Sequence, residues 1–371
     1  MTYFMRDNSC RAVSESNQFG RGEVYKNIEA EGPVHAVCTA CMSVYADYLS
    51  WANSNVVWEG RPKLVTEDIN EATSIVVLGC QVTSDAVLND LRTIERLQED
   101  HPDAQLYAGG CLACRFDIEL PEGVRRVGHL RADGQMIERK DFVTFADPFW
   151  VKDFDPRGSE LEDGHLFRNA YPLRLSVGCR KKCSYCTIRT TRGVPYTLSY
   201  AQIAEEFDWV VNDSPFASPH ADVLFVADAP SVHDVEVAAA LAILHSHPIS
   251  IRNVEPDVVV RMRHLLGYLA ERGLLRVLHA PIQALDSAVL SDMCRVPHLT
   301  HRVVGICAGL RERGTTFTAT NIIREYKGFP DPVVEELEPS FDYISWNVYW
   351  DGVWDRKEAE ERFKRLYGRG A

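Results

Sequence analysis

The densest concentration of reactive side chains in this 371-residue chain is the run Cys179-Arg-Lys-Lys-Cys183-Ser-Tyr-Cys186, directly after the apolar stretch 173–178. Three thiolates on one short loop can hold three corners of a cubane iron–sulfur cluster and leave the fourth iron without a protein ligand, open for chemistry. A zinc loop and three unrelated thiols are the alternatives. Structural zinc takes four ligands, commonly in paired C-x2–4-C or His units, and the surrounding sequence offers no such pair to complete the set.

A second set of thiols lies upstream. Segments 33–41, 74–80 and 105–111 each read as a short apolar strand that runs into cysteine: Cys38 and Cys41, then Cys80, then Cys111. Parallel strands deliver their C-terminal ends to one edge of a sheet, so thiols far apart in sequence can meet there. For each taken singly, a thiol used as a small apolar side chain is the competing reading. Cys294 and Cys307 lie in helical patterns and are expected to pack, and Cys10 carries no signal. Asp228, Glu255 and Gln283 are polar residues at the ends of later strand-like stretches, and Arg192 and Arg324 offer guanidinium forks for a carboxylate or phosphate. No side chain is assigned as a general acid, base or nucleophile.

With both thiol sets in view, residues 33 to 349 resemble the radical S-adenosylmethionine (SAM) methylthiotransferases, which attach a methylthio group to tRNA bases or to a ribosomal aspartate. In the family's N-terminal domain three cysteines hold an auxiliary [4Fe-4S] cluster. Cys41-Met-Ser-Val-Tyr-Ala-Asp47 keeps the acid six positions after the first of them, a pattern that Cys38 lacks, so Cys41 is preferred. Leu78-Gly-Cys80 resembles the second motif and Gly110-Cys111-Leu-Ala-Cys114-Arg115 the third, with Cys114 in place of a glutamine. Downstream, Thr191-Arg192-Gly193, Ile251-Arg-Asn-Val-Glu255-Pro256, His279-Ala-Pro-Ile-Gln283, Met293-Cys-Arg295 and Gly328-Phe-Pro330 follow the family's order. The resemblance implies two [4Fe-4S] clusters, one on Cys179, Cys183 and Cys186 and one on Cys41, Cys80 and Cys111, with SAM on the open iron of the first. It also implies cofactor contacts from Tyr185 near the adenine, Asp228 near the SAM amino group, and Arg192, Glu255 and Gln283.

Departures from the family bear on the substrate. Gln-Ser-Gly-Ser is replaced by Gln283-Ala-Leu-Asp286, the usual Asp is Asn321, residues 325–327 are extra, and the sequence ends at Ala371, where the family is expected to continue into a small RNA-gripping barrel. Acidic residues outnumber basic ones by 53 to 40, a formal charge of -13, which opposes attraction to a phosphate backbone. A small-molecule substrate such as a nucleoside or nucleotide is expected, nucleic acid is not, and a reductase such as flavodoxin or ferredoxin is expected as electron donor. The resulting reading is sulfur insertion. Its alternatives are methylthiotransfer to a small molecule, RNA or protein, and a dehydrogenase or epimerase whose second cluster conducts electrons. An iron–sulfur carrier or a zinc-bound interaction protein is the non-enzymatic contrast.

The elements that must position these groups are α/β throughout. The length suits two to three domains, the apolar runs are too short to cross a bilayer, and the absence of a secretory pattern leads to an expectation of a cytoplasmic protein whose thiols stay reduced. Residues 1–32 read as an N-terminal extension, 33–152 as an open α/β sheet domain holding the auxiliary cluster, 153–168 as an acidic linker, and 169–371 as a radical SAM partial (β/α)6 barrel with a C-terminal helix. Ser84 is expected to cap the helix carrying Val87, Leu88, Leu91, Ile94 and Leu97, and Ser199 one carrying Ile203, Phe207 and Val210.

Overall fold

The computed structural model describes residues 32–52, 57–58, 61–62, 66, 68–127, 170–192, 195–213, 222–313 and 316–368. Residues 1–31 of the expected extension 1–32, the segment 128–169 with the linker 153–168, Cys10 and Gly193 lie outside these residues. The chain divides into two compact units, one of residues 1–145, 185–194 and 350–371, the other of 146–184 and 195–349.

In the first unit, β1 (Val34–Cys38), β2 (Ser74–Gly79), β3 (Gln105–Gly110) and the short β4 (Arg125–Arg126) form one sheet in that order, every pair parallel. The run SIVVLG of β2 is buried at every position, as a central strand covered on both faces requires. Helix α1 (Met42–Ala52) follows β1, and α2 (Ser84–Asp100) follows β2. The cap of α2 is Thr83, not Ser84: the Thr83 hydroxyl accepts from the Ala86 N–H, and Ser84 is the first helical residue. Adjacent hydroxyls look alike to a capping rule, and the extended backbone of Thr83 decides between them. One face of α2 places Val87, Leu91, Ile94 and Leu97 against Ile75, Val77, Leu106 and Ala108. Trp350 and Trp354 pack on the same core. The helix Arg356–Tyr367 lies on α2, with Arg356 forked onto Glu95 at 2.7 and 3.0 Å.

In the second unit, β5 (Ala170–Arg174), β6 (Asp222–Val226), β7 (Ile249–Ile251), β8 (Leu275–His279), β9 (Phe317–Arg324) and β10 (Tyr343–Val348) line up in sequence order, all parallel. Helices α3 (Tyr200–Asn212), α4 (Val232–His245) and α5 (Pro256–Glu271) make the first three crossovers, and α6 (Ser287–Asp292) with α7 (Pro297–Glu312) the fourth. Repeated strand–helix units of this kind give the expected partial barrel. The first strand is shorter than its apolar run: it breaks at Leu175, and Ser176–Val177 pairs antiparallel with Tyr196–Thr197. Ser199 and Gln202 form the anticipated capping box of α3. Cys307 is buried on α7, whereas Cys294 is exposed with φ 58°, past the end of α6 and outside any helix.

Leu91 is 1% exposed at the centre of the first core. Leu91→Ala is expected to cost about 2–5 kcal/mol, read as a lower urea midpoint.

Candidate functional site

In the first unit the strand ends bring the upstream cysteines to one edge. Cys38 closes β1, Cys41 precedes α1, and Cys80 and Cys111 follow β2 and β3. The Thr39 N–H and hydroxyl both donate to the Leu78 carbonyl at 3.2 Å, and the Cys111 N–H donates to the Gly79 carbonyl at 3.1 Å. Burial raises the Cys80 pKa to about 12, with the charge of Cys41 as the next cause. Cys38 is raised further, by burial first and then by Cys41, Asp90 and Cys80. Asp90, buried on α2, accepts from the Cys80 N–H at 2.6 Å, and burial lifts its carboxyl to about 7. This approach requires a glycine before Cys80, because a Cβ on Gly79 would stand 2.5 Å from Asp90 Oδ2 and 2.8 Å from Leu112 Cβ.

Among the described residues, no group of three His, Cys, Asp or Glu converges tightly enough for a single metal ion. A cubane cluster asks for something wider, one thiolate at each corner. Thiols spaced along a sheet edge, with the Val82 N–H aimed at the Cys80 sulfur at 3.5 Å, fit that larger group.

The segment from Tyr185 onward belongs to this unit, with Tyr185 half-buried and Cys186 exposed. It is held beside the cysteine-bearing loops: Gln81 Nε2 donates to the Thr187 hydroxyl at 2.9 Å, and the buried Cys114 thiol to the Thr191 carbonyl at 3.9 Å. Arg192 and Asp47 form an ion pair of 2.6 Å with side chains only 1% and 4% exposed. The acid six residues after Cys41 is thus the partner of the arginine six residues after Cys186.

In the second unit Cys179 and Cys183 follow the barrel's first strand. The Lys181 N–H points at the Cys179 sulfur at 3.3 Å and Arg295 Nη1 at the Cys183 sulfur at 3.8 Å. N–H groups aimed at sulfur favour the thiolate that a cluster requires. Cys179 is nevertheless pushed up to about 11, by burial first, with Glu255, Cys183 and Asp228 adding to the rise. Asp228, just past β6, accepts from the Gly178 N–H at 2.7 Å. Glu255, before α5, pairs with Arg295 at 3.0 Å, and Arg295 also reaches the Pro281 carbonyl at 2.7 Å. Asp228 and Glu255 therefore stand within electrostatic reach of Cys179. Gln283 has φ 70° and is bound to β9 through the Asn321 carbonyl and the Ile323 N–H, each at 2.8 Å. Arg324 lies over the Trp346 ring, 3.7 Å from its centroid.

Sequence reasoning did not single out His279 as a site residue. The Asn253 N–H donates to His279 Nδ1 at 3.1 Å, so Nε2 carries the proton and donates to Asn321 Oδ1. Asn253 Nδ2 continues to the Ala227 carbonyl at 3.2 Å, which links the ends of β6 to β9. Burial, helped by the Arg252 charge, lowers the imidazole to about 3. Also missed were Tyr326 and Asp292: Tyr326 is within 3.0 Å of the Ser184 hydroxyl and donates to Asp292 at 2.6 Å, which holds the cluster loop. The signal available was the extra segment 325–327, whose Glu325 and Lys327 adopt φ 55° and 47°.

Residues 173–331 match the family described as Radical SAM superfamily. The parallel strands with cysteines after the first agree with that match, and the matched family implies a [4Fe-4S] cluster, SAM and a reductant. The tRNA-2-methylthio-N(6)-dimethylallyladenosine synthase of Sulfurihydrogenibium sp. (strain YO3AOP1) is 25% identical over 257 residues, 62% of this chain and 56% of that protein. The ribosomal protein uS12 methylthiotransferase RimO of Sulfurovum sp. (strain NBC37-1) is 20% identical over 289 residues, 74% of this chain and 63% of that protein. The chain is similar to these methylthiotransferases, and the match spans about three-fifths of their length. The solved radical SAM methyltransferase TsrM from Kitasatospora setae aligns at 14% identity and TM-score 0.47, over 79% of this chain and 68% of that one. Among the described residues no helix is long and apolar enough to cross a membrane.

Breaking the Asp47–Arg192 pair strands a buried charge. Asp47→Ala and Arg192→Ala should each cost on the order of 3–5 kcal/mol, and the double substitution less than their sum, by denaturant titration. His279 has a folded pKa of about 3 against 6.5 unfolded. Its contribution is present in full above pH 6.5 and is lost as pH falls through that value toward 3, at up to ~1.4 kcal/mol per pH unit. Stability measured between pH 6.5 and 5 should therefore fall less steeply in His279→Gln.

Proposed function

We propose that this protein inserts sulfur into a small molecule, by activation of a C–H bond followed by C–S bond formation or by exchange of oxygen for sulfur. The observation that carries the reading is a second set of thiols, Cys41, Cys80 and Cys111, gathered at the edge of a separate sheet from the loop of Cys179, Cys183 and Cys186. When bound, a reduced cluster with SAM supplies a radical able to take hydrogen from carbon, and a second cluster supplies sulfur; the protein contributes placement and exclusion of water.

In this reading the domain 33–152 holds the second cluster and the barrel holds the first. The Lys181 N–H and Arg295 aim hydrogen-bond donors at the Cys179 and Cys183 sulfurs. Asp228 and Glu255 receive the SAM amino group, and Gln283 lies at the end of a nearby barrel strand. Arg295, paired with Glu255, fixes that carboxylate beside Cys183. The charge of -13 and the altered Gln283-Ala-Leu-Asp286 segment favour a small substrate over a polyanion. A flavodoxin or ferredoxin is the proposed reductant. Methylthiotransfer to RNA or protein is the second reading, favoured by the activities of the relatives.

Anaerobic reconstitution tests the reading. About eight irons per chain are expected, falling to about four when Cys41, Cys80 and Cys111 are replaced together by Ala. The triple variant should still form 5′-deoxyadenosine and should lose sulfur transfer. About four irons in the unaltered protein, unchanged in the variant, would remove the second cluster and the proposal with it. Product mass then separates a gain of methylthio from sulfur alone.

A further inference from the structure

Cys38 has no role in the reading above, yet it stands at the same sheet edge. Cys38-Thr-Ala-Cys41 is a C-x2-C unit that spans the junction from β1 to α1. That is the spacing with which ferredoxin-type loops put two thiolates on one cluster. In the ladder Cys38 lies opposite Leu78, two residues before Cys80, and both Thr39 donors fasten the next residue to the Leu78 carbonyl. The charges of Cys41 and Cys80 both reach the Cys38 thiol.

Structural duties do not account for this thiol. Cys307 is buried on a helix, and Cys114 is buried with its thiol on the Thr191 carbonyl of another segment. Cys38 is half-buried, and its thiol donates to Ala40 O, two residues away, at 3.9 Å. So weak a local contact leaves the sulfur available to a ligand.

We infer that Cys38 is a fourth thiolate ligand of the auxiliary cluster, alongside Cys41, Cys80 and Cys111. The inference rests on the proposed second cluster and adds to it: a site closed by four thiolates has no vacant iron for an exogenous thiol or anion.

The test uses the full chain carrying Cys179→Ala, Cys183→Ala and Cys186→Ala, so that all cluster iron reports the auxiliary site. About four irons per chain are expected after anaerobic reconstitution. The EPR spectrum of the dithionite-reduced protein should not change on adding cyanide. Adding Cys38→Ala should keep the iron and make the spectrum shift with cyanide. Adding Cys41→Ala should also keep most of the iron, because Cys38 leaves three thiolates in place, and Cys38→Ala with Cys41→Ala should lose it. A cyanide shift before any change at Cys38, or loss of iron with Cys41→Ala alone, overturns the inference and leaves the second cluster standing. The cyanide measurement on the parent protein needs no change at either residue, so it decides even if the Cys38 or Cys41 variants fold poorly. Absence of iron from that parent would overturn the two-cluster reading and this inference together.

Discussion

Parallel pairing of three short strands is the constraint on which the first unit depends. Because β1, β2 and β3 run the same way and in register, each chain leaves its strand at the same edge, and cysteines dozens of residues apart emerge side by side. Placing thiols there is costly in itself, since burial holds Cys38 and Cys80 protonated. The surroundings respond with N–H groups: Val82 on the Cys80 sulfur, and the Cys80 N–H on a carboxyl that burial has brought to about 7. Glycine is needed at position 79 for the same reason, to admit Asp90 against the backbone.

The barrel solves a similar problem by different means. Its cysteine loop leaves one strand, and charged groups converge on that loop from the ends of others. Arg295 touches the Cys183 sulfur while pairing with Glu255, and Asp228 holds the backbone at Gly178. Around them a neutral network through Asn253, His279 and Asn321 joins the strand ends. The imidazole is kept uncharged by burial and by Arg252, so it sets geometry without adding to the local charge. A neutral Asn321 amide opposite a neutral imidazole is consistent with that balance.

Most of the strands and the two thiol sets were legible in the sequence because both signals are local: apolar runs ending in cysteine, and cysteines within eight residues of one another. Errors arose where two neighbours satisfy one rule, as with Thr83 and Ser84, or where a run is longer than the strand it forms, as at Leu175. Cys294 lies in a helical sequence context that predicts packing, but the chain turns left-handed at that residue and exposes it. Tyr326 and Asp292 carried no motif, and their role follows from a turn that folds back onto Ser184.

The sequence by itself determined the order of strands and helices, the cysteine-rich loop after the first barrel strand, and the presence of further thiols at strand ends. Those properties depend on residue type and short spacing. Only the tertiary structure decided that Asp47 answers Arg192 across 145 residues, that Arg356 answers Glu95 across 261, and that His279 lies between two asparagines. Such pairs join segments with no periodic relation to one another. Their energy comes from burial and complementary charge, and both appear only once the chain has closed around them.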